Sequence, residues 1–397
     1  MKTKILFIGW IIFFIALFLY SFTQIDLSLT FSRVSIWQGI EKSFQYIGYF
    51  NRPFSTYLYI GILVIFSLLY FWTLWLVHER KLSRKYLWAI ILIGAAILFV
   101  SYNTFSYDLF NYIFDAKIIT HYHQNPYLHK ALDFPGDPML SFMHWTDRVY
   151  PYGPAWLGLT MPLSFLGANV FIVTFYLYKL LMAVSFLLSV WLIEKICEKT
   201  KIPDSLFAVA FFALNPLVMI ESLISAHNDI VMMCFALLAI YLVVRQKYVW
   251  SILSLILSIA IKFATVIIVP FYLIGLFYAM KKKPILWEKL FIGMAIVMIG
   301  GVYLASVRTN FQPWYLLYCL PFAALVSKKY FVFIPAVICS ILSLVTYVPF
   351  LYLGNWDKPV PQILTDLHIV FILVSIFAVI GMFFVKKINV VHERKKK

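Results

Sequence analysis

Apolar residues run along this chain in long uninterrupted blocks, at positions 5–23, 58–77, 87–103, 170–194, 205–222, 230–244, 248–261, 263–280, 286–304, 315–327, 331–353 and 367–385. A hydrocarbon core of about 30 Å needs roughly 20 apolar residues of helix. The blocks therefore predict an all-α, polytopic membrane bundle of about 12 transmembrane helices. A membrane β-barrel would instead alternate apolar and polar positions along each strand. Residues 154–167, "PAWLGLTMPLSFLG", are too short to cross and fit an interfacial or re-entrant helix buried against protein. The opening "MKTKILFIGWIIFFIALFLYSF" has a basic start, an apolar run longer than a signal-peptide core and no small-residue cleavage site. It reads as a retained first helix. The chain reads as one transmembrane domain over 1–397, with 104–168 as an outer catalytic loop carrying juxtamembrane helices.

Composition agrees with the pattern: 63% of the 397 residues are hydrophobic and 13% charged. The net charge of +16 would suit nucleic acid, but the Lys and Arg residues punctuate the gaps between apolar blocks. The clusters "HERKLSRKY", "EKICEKTK", "RQK", "KKK", "KK" and "KKINVVHERKKK" fall on one side of the bundle with the N-terminus. By the positive-inside rule that side is cytoplasmic, both termini included, and the protein is expected in the plasma membrane. No nucleic-acid partner follows; the bilayer is the partner. The acids show the opposite bias, with Asp26, Glu41, Asp108, Asp115, Asp133, Asp137, Asp147, Asp229, Asp357 and Asp366 all on the outer side. Polar chemistry is thus concentrated outside. The four cysteines are scattered with no paired spacing, so neither a disulfide framework nor a zinc site is indicated.

Within the outer loop, "DLFNYIFDAKIITHYHQNPY" has a helical period. From Asp108 it places Asn111, Tyr112 and Asp115 on one face and Leu109, Phe110, Ile113 and Phe114 on the other. This predicts an amphipathic helix on the membrane surface, whose acids face either a pocket or water. "VYPYGPAW" (149–156) is a stiff turn aimed back toward the membrane. "SAHNDIVMM" puts His227, Asn228 and Asp229 in a short outer turn. Lys262 interrupts a 33-residue apolar run, so 248–280 reads as a hairpin turning near it. An ionisable residue at that depth costs several kcal/mol unless paired; the residues alone leave open a functional cation or a snorkelling one. "RTNFQPWYLLYCLP" adds Arg308, Gln312, Trp314 and Tyr315 at another outer helix start, where aromatics also form ordinary interfacial belts. A carboxylate such as Asp108 suits proton abstraction from a hydroxyl, and Lys262 or Arg308 suits a phosphate leaving group.

These stretches, in the order "DLFNYIFDAKIITHYHQNPY", "YPYGPAWL", "HNDIVMMCFALLAIYLVV", "AIKFATVIIVPFYLIG" and "QPWYLLYCLP", resemble the GT-C superfamily of membrane glycosyltransferases. The likeness is greatest to bacterial polyprenol-phosphate-mannose-dependent α-mannosyltransferases and covers about residues 87–330. It implies transfer of a hexose, with inversion at the anomeric carbon, from a polyprenyl-phosphate donor to a glycan, glycolipid or protein acceptor outside the membrane. It implies Asp108 as catalytic base with Asp229 supporting it, and Lys262 at the family's basic site, although Phe263 and Ala264 follow where proline is usual. Asp115, Tyr112, Asn125, Tyr152, His227, Asn228, Gln312, Trp314 and Tyr315 complete the substrate-binding set, with Arg308 as a further phosphate contact. The acidic loop follows a third apolar block here, whereas in many members it follows the first.

No cofactor is called for, since the sugar donor is a substrate and no Gly-rich phosphate loop is present. His121, His123, His129 and His144 share the loop without a metal-site spacing, so no metal is expected. Two other classes fit part of the pattern. A lipid-linked sugar transporter would carry midplane ionisable groups within an inverted repeat. An O-antigen polymerase or ligase would draw on outer arginines, of which Arg33, Arg52, Arg148 and Arg308 are present.

Overall fold

The computed structural model describes the backbone of residues 2–395 and the side chains of residues 2–383. The basic tail from Lys386 onward, part of the charge asymmetry above, lies outside the described side chains. All regular structure among the described residues is helical. In chain order the α-helices are α1 (Lys2–Ser21), α2 (Ser35–Gln45), α3 (Arg52–His78), α4 (Arg84–Phe99), α5 (Asp108–Thr120), α6 (Pro154–Leu166), α7 (Phe171–Thr200), α8 (Ser205–Ala213) and α9 (Pro216–Met219). They continue as α10 (Asp229–Val244), α11 (Tyr248–Ile261), α12 (Val269–Met280), α13 (Trp287–Thr309), α14 (Leu320–Leu325), α15 (Tyr330–Leu344), α16 (Val348–Leu353) and α17 (Val360–Lys395).

Every apolar block becomes helical, but fewer blocks are full crossings than their count suggested. Seven helices among the described residues are long and apolar enough to cross a membrane, or eight if the bent pair Ser205–Ala213 and Pro216–Ile224 counts as one. The shortfall has physical causes. Helices α10 and α11 have 16 and 14 residues; at about 1.5 Å per residue each is shorter than a bilayer core. The 315–327 block is cut into a 3-10 turn at Pro313–Tyr318 and the six-residue α14, since Pro313 and Pro321 interrupt the backbone donor series. The protein is nonetheless a polytopic helical membrane protein.

The centre of the bundle is the stretch from α8 to α10, where every residue from Phe207 to Cys234 is buried. Helix α10 packs on α7 and α11, and α3 on α1 and α16, whereas only 11% of the α17 window is buried. A helix apolar all round belongs in such a centre; a polar one must satisfy itself there. Asn215 Oδ1 does so at the α8–α9 break, accepting from Leu217 N (3.0 Å) and Val218 N (3.4 Å) just before Pro216. Tyr70 of α3 donates to Phe211 O (3.0 Å), covering a carbonyl freed by the same break.

Helix α5 departs from the surface-lying amphipathic helix predicted for it. Its apolar face packs through Phe110 against Phe142, Phe171 and Phe175, and its polar stripe is enclosed too, with Tyr112 and Asp115 buried. Chain segment 131–153 folds over the helix: Asn111 Nδ2 reaches Trp145 O at 3.3 Å, and Tyr152 meets Tyr112 edge to face. That enclosure needs Gly153. Its amide donates to Ile261 O (3.1 Å) at the end of α11, and a Cβ there would overlap the Ala260 carbonyl. We expect Gly153→Ala to separate the 149–156 turn from Lys262, which faster limited proteolysis of 131–153 and lost transfer activity would report; wild-type behaviour on both counts would show that the turn tolerates the side chain.

Candidate active site

Three chain segments meet at one end of the bundle centre: the 101–107 loop leading into α5, the 220–229 turn leading into α10, and the Lys262 break with the 309–318 segment. In the first, Asn103 Nδ2 donates to Ser106 O (2.6 Å), and Ser106 Oγ accepts from Asp108 N (3.2 Å). Asp108 is therefore the first residue of α5, where free amides favour a negative charge. Its side chain is 18% exposed, and Oδ2 lies 3.5 Å from the Tyr112 hydroxyl and 3.8 Å from His227 Nε2.

In the second segment, residues Ile220–Ile224 form a π-turn, with Ser225 N on Ile220 O at 2.8 Å. This winding turns His227 Nδ1 toward the Glu221 carboxylate, 3.0 Å away, while Nε2 meets Ser106 Oγ at 3.0 Å. Glu221 also accepts from Tyr347 OH (2.9 Å), and the His227 ring stacks on Trp314 at 4.0 Å. Both Glu221 and His227 are fully buried. In the third segment Lys262, left extended between α11 and the Phe263–Ile268 turn, pairs with Asp229 Oδ1 at 2.7 Å. The ammonium also stands over the rings of Tyr315 (5.7 Å) and Tyr318 (5.6 Å).

The charges sort themselves. Glu221 faces His227 Nδ1, Asp229 faces Lys262, and Asp108 has no lysine or arginine partner among the described residues, its nearest basic group being His227 Nε2 at 3.8 Å. It is also the only one of these three acids that reaches the surface. Burial first, then the neighbouring carboxylates, holds the Tyr112 and Tyr152 hydroxyls well above their ordinary titration range. They stay neutral donors around Asp108. Asn228 Oδ1 and Nδ2 and Asp229 Oδ2 are buried and meet no partner among the described residues. Buried polar atoms are seldom left so, and those three atoms suit the hydroxyls of a polar ligand.

Asp115 lies on the same stripe of α5 and is buried rather than solvated. Desolvation, with Asp108 adding to it, raises its carboxyl well above the usual range and favours its protonated form. An acid raised in the folded state contributes stability that is full below its unfolded pKa of about 3.9 and is lost as pH climbs toward the folded value. Asp115→Asn removes that loss. We expect its unfolding temperature in detergent to overtake the wild type progressively as pH rises above 4; parallel curves would mean that Asp115 ionises freely.

The other expected site residues form no hydrogen bond or ion pair with Asp108, His227 or Asp229 among the described residues. Asn125 is exposed and shapes a turn by accepting from Tyr127 N (3.0 Å). Arg308 is exposed at the end of α13, although the next residue, Thr309, meets the Tyr315 hydroxyl at 2.5 Å. Gln312 stands just before the 3-10 turn that carries Trp314 and Tyr315, its carbonyl accepting from Tyr315 N (3.1 Å) with no side-chain cap bond. The histidines of the outer loop diverge: His144 stacks on Tyr107 at 3.7 Å, and His129 lies 3.4 Å from Asp133. Residues given no role at the site by the sequence are Ser106, Glu221, Tyr318 and Tyr347. Tyr318 stands one helical turn from Tyr315 and was in principle legible; Tyr347 is 126 positions from Glu221, and no local pattern announces it.

Fold and site together define a polytopic helical membrane protein with a buried, ion-paired polar centre and one open carboxylate. The chain belongs to the family described as alpha-(1->6)-mannopyranosyltransferase, N-terminal domain, which matches residues 30–279. The match encloses Asp108, His227, Asp229 and Lys262 and ends before Trp314. Over 189 residues the chain is 28% identical to Alpha-(1->6)-mannopyranosyltransferase A of Mycobacterium tuberculosis (strain ATCC 25618 / H37Rv), an alignment that covers 46% of this chain and 35% of that relative. The chain thus spans about a third of the curated relative it matches. No solved structure matches it. The mannosyltransferase-family resemblance drawn from the motifs is borne out.

Proposed function

We propose that this protein is a glycosyltransferase that moves a hexose, mannose by its family, from a polyprenyl-phosphate carrier to a glycan, glycolipid or protein acceptor on the outer face of the plasma membrane. The observation that carries the reading is Asp108, a partly open carboxylate with no lysine or arginine partner among the described residues, beside the buried Glu221–His227 contact and the Asp229–Lys262 pair. An acceptor hydroxyl attacks the anomeric carbon as Asp108 takes its proton. The bond from that carbon to the phosphate oxygen breaks, and the lipid phosphate leaves with the electron pair. Attack opposite the leaving group inverts the anomeric centre. Lys262, 21% exposed at its side chain, supplies positive charge for the departing phosphate. Asn228 and the free oxygen of Asp229 take sugar hydroxyls. No metal is invoked, and the leaving phosphate is served by Lys262 alone.

The test is transfer by the purified protein in liposomes from a panel of radiolabelled polyprenyl-phosphate hexoses, with inorganic and lipid phosphate counted. Labelled product with stoichiometric free carrier phosphate establishes the reaction. Lipid that crosses the bilayer with its sugar still attached would make the protein a transporter instead.

A further inference from the structure

One buried lysine takes no part in the chemistry above. Lys179 of α7 is 1% exposed and faces no acid among the described residues. Three acceptors surround its Nζ: Ser101 Oγ at 3.1 Å, Ile224 O at 3.3 Å and, closest, Leu223 O. The last two are carbonyls at the end of the π-turn, which the helix itself leaves without a donor. Ser101 closes the end of α4, donating in turn to Leu98 O (2.6 Å). A single side chain therefore ties together the ends of two elements. From one runs the 101–107 loop to Asp108, and from the other the 225–227 turn to His227. Those two strands of chain meet again only a few residues on, through Ser225 Oγ to Thr104 O (2.9 Å) and His227 Nε2 to Ser106 Oγ (3.0 Å).

We infer that Lys179 is a positioning residue for transfer: it satisfies the π-turn carbonyls and so sets where His227 and Glu221 stand relative to Asp108. A lysine in an apolar span is costly, and an apolar residue in its place would strand two buried carbonyls. Lys179 touches neither the open carboxylate nor the Lys262 pair, so its effect reaches the reaction only through the geometry of these two segments.

The test uses the full-length protein and two readouts. The first, hydrogen exchange, does not depend on the function proposed above. In Lys179→Met, amides in 220–228 and 101–107 should exchange at least about tenfold faster than in the wild type, with α13 unchanged, because local opening follows the bonds lost locally. Unchanged exchange in both segments overturns the inference, whatever the protein catalyses. The second readout rests on the glycosyl-transfer reading. With polyprenyl-phosphate mannose as donor, kcat should fall about ten- to a hundredfold, as a misplacement of about 1 Å can cause, while donor KM stays within about twofold. In a His227→Gln background the same substitution should cost no more than about threefold, since the two act on one geometry. Losses that multiply, or a wild-type kcat, overturn the inference; a wild type that transfers no sugar overturns the function and leaves the exchange result to decide on Lys179. Ser101→Ala, which removes one acceptor of the three, should show the same pattern with smaller amplitude and carries both readouts if Lys179→Met does not fold.

Discussion

Asp108→Asn should lower sugar transfer by about 10²- to 10⁴-fold, the range set by removal of a general base, while the protein elutes and unfolds as the wild type does. Asparagine keeps the size of the side chain and an oxygen for the Tyr112 hydroxyl, which lies 3.5 Å from Asp108 Oδ2. What it lacks is the proton affinity. The Glu221–His227 and Asp229–Lys262 pairs are untouched, so donor binding should survive and KM should change little. That combination, lost kcat with kept KM, separates a base from a residue that merely grips the sugar. Retention of a tenth or more of wild-type activity would remove Asp108 from the reaction and turn attention to the other acids of the site.

The second large effect is expected at the Asp229–Lys262 pair. Asp229 is fully buried, its Oδ1 is 2.7 Å from Lys262 Nζ, and its Oδ2 already lacks a partner. Lys262→Met would leave that carboxylate wholly uncompensated, and breaking a buried pair from one side costs about 3–5 kcal/mol. Asp229→Asn leaves the ammonium with only the faces of Tyr315 and Tyr318, a weaker attraction. Thermal unfolding should therefore shift down in both single variants, most in Lys262→Met. The double variant Asp229→Asn with Lys262→Met removes both charges and should recover much of the lost stability, because the pair must also overcome the desolvation of two ions. Activity should not recover with it. If the double variant transfers sugar at the wild-type rate, Lys262 has no part in neutralising the leaving phosphate and the pair is purely architectural.

The two predictions differ in how much of them was legible in the chain. Asp108 could be singled out early, because a helical period and a run of polar motifs surround it. That it takes no lysine or arginine partner could not, since that depends on which of the other acids take them. The pairing of Lys262 with Asp229 joins residues 33 positions apart across two helices, and neither spacing nor composition connects them. Asp115 shows the same limit from another side: its place on the polar stripe of α5 was right, but its burial came from segment 131–153 closing over the helix. The Glu221–His227 contact also escaped helical arithmetic. Residues six apart do not face one another on an α-helix, and only the π-turn at Ile220–Ile224 brings them together.

By itself the sequence determined the solvent of this protein and hence its class. Long apolar blocks leave helices as the solution that pairs every backbone group in lipid, and the same blocks make any polar cluster expensive enough to stand out. It also picked out polar motifs that the fold brings together, around Asp108, His227, Asp229, Lys262 and Trp314. Tertiary structure alone decided how many blocks are long enough to cross, where the helices break, which acid each cation neutralises, and that Asp108 is the one left open. The reason is physical. Lipid solubility and backbone satisfaction are local properties summed along the chain, whereas an ion pair or a buried orphan carbonyl is settled by whatever group another element delivers to it.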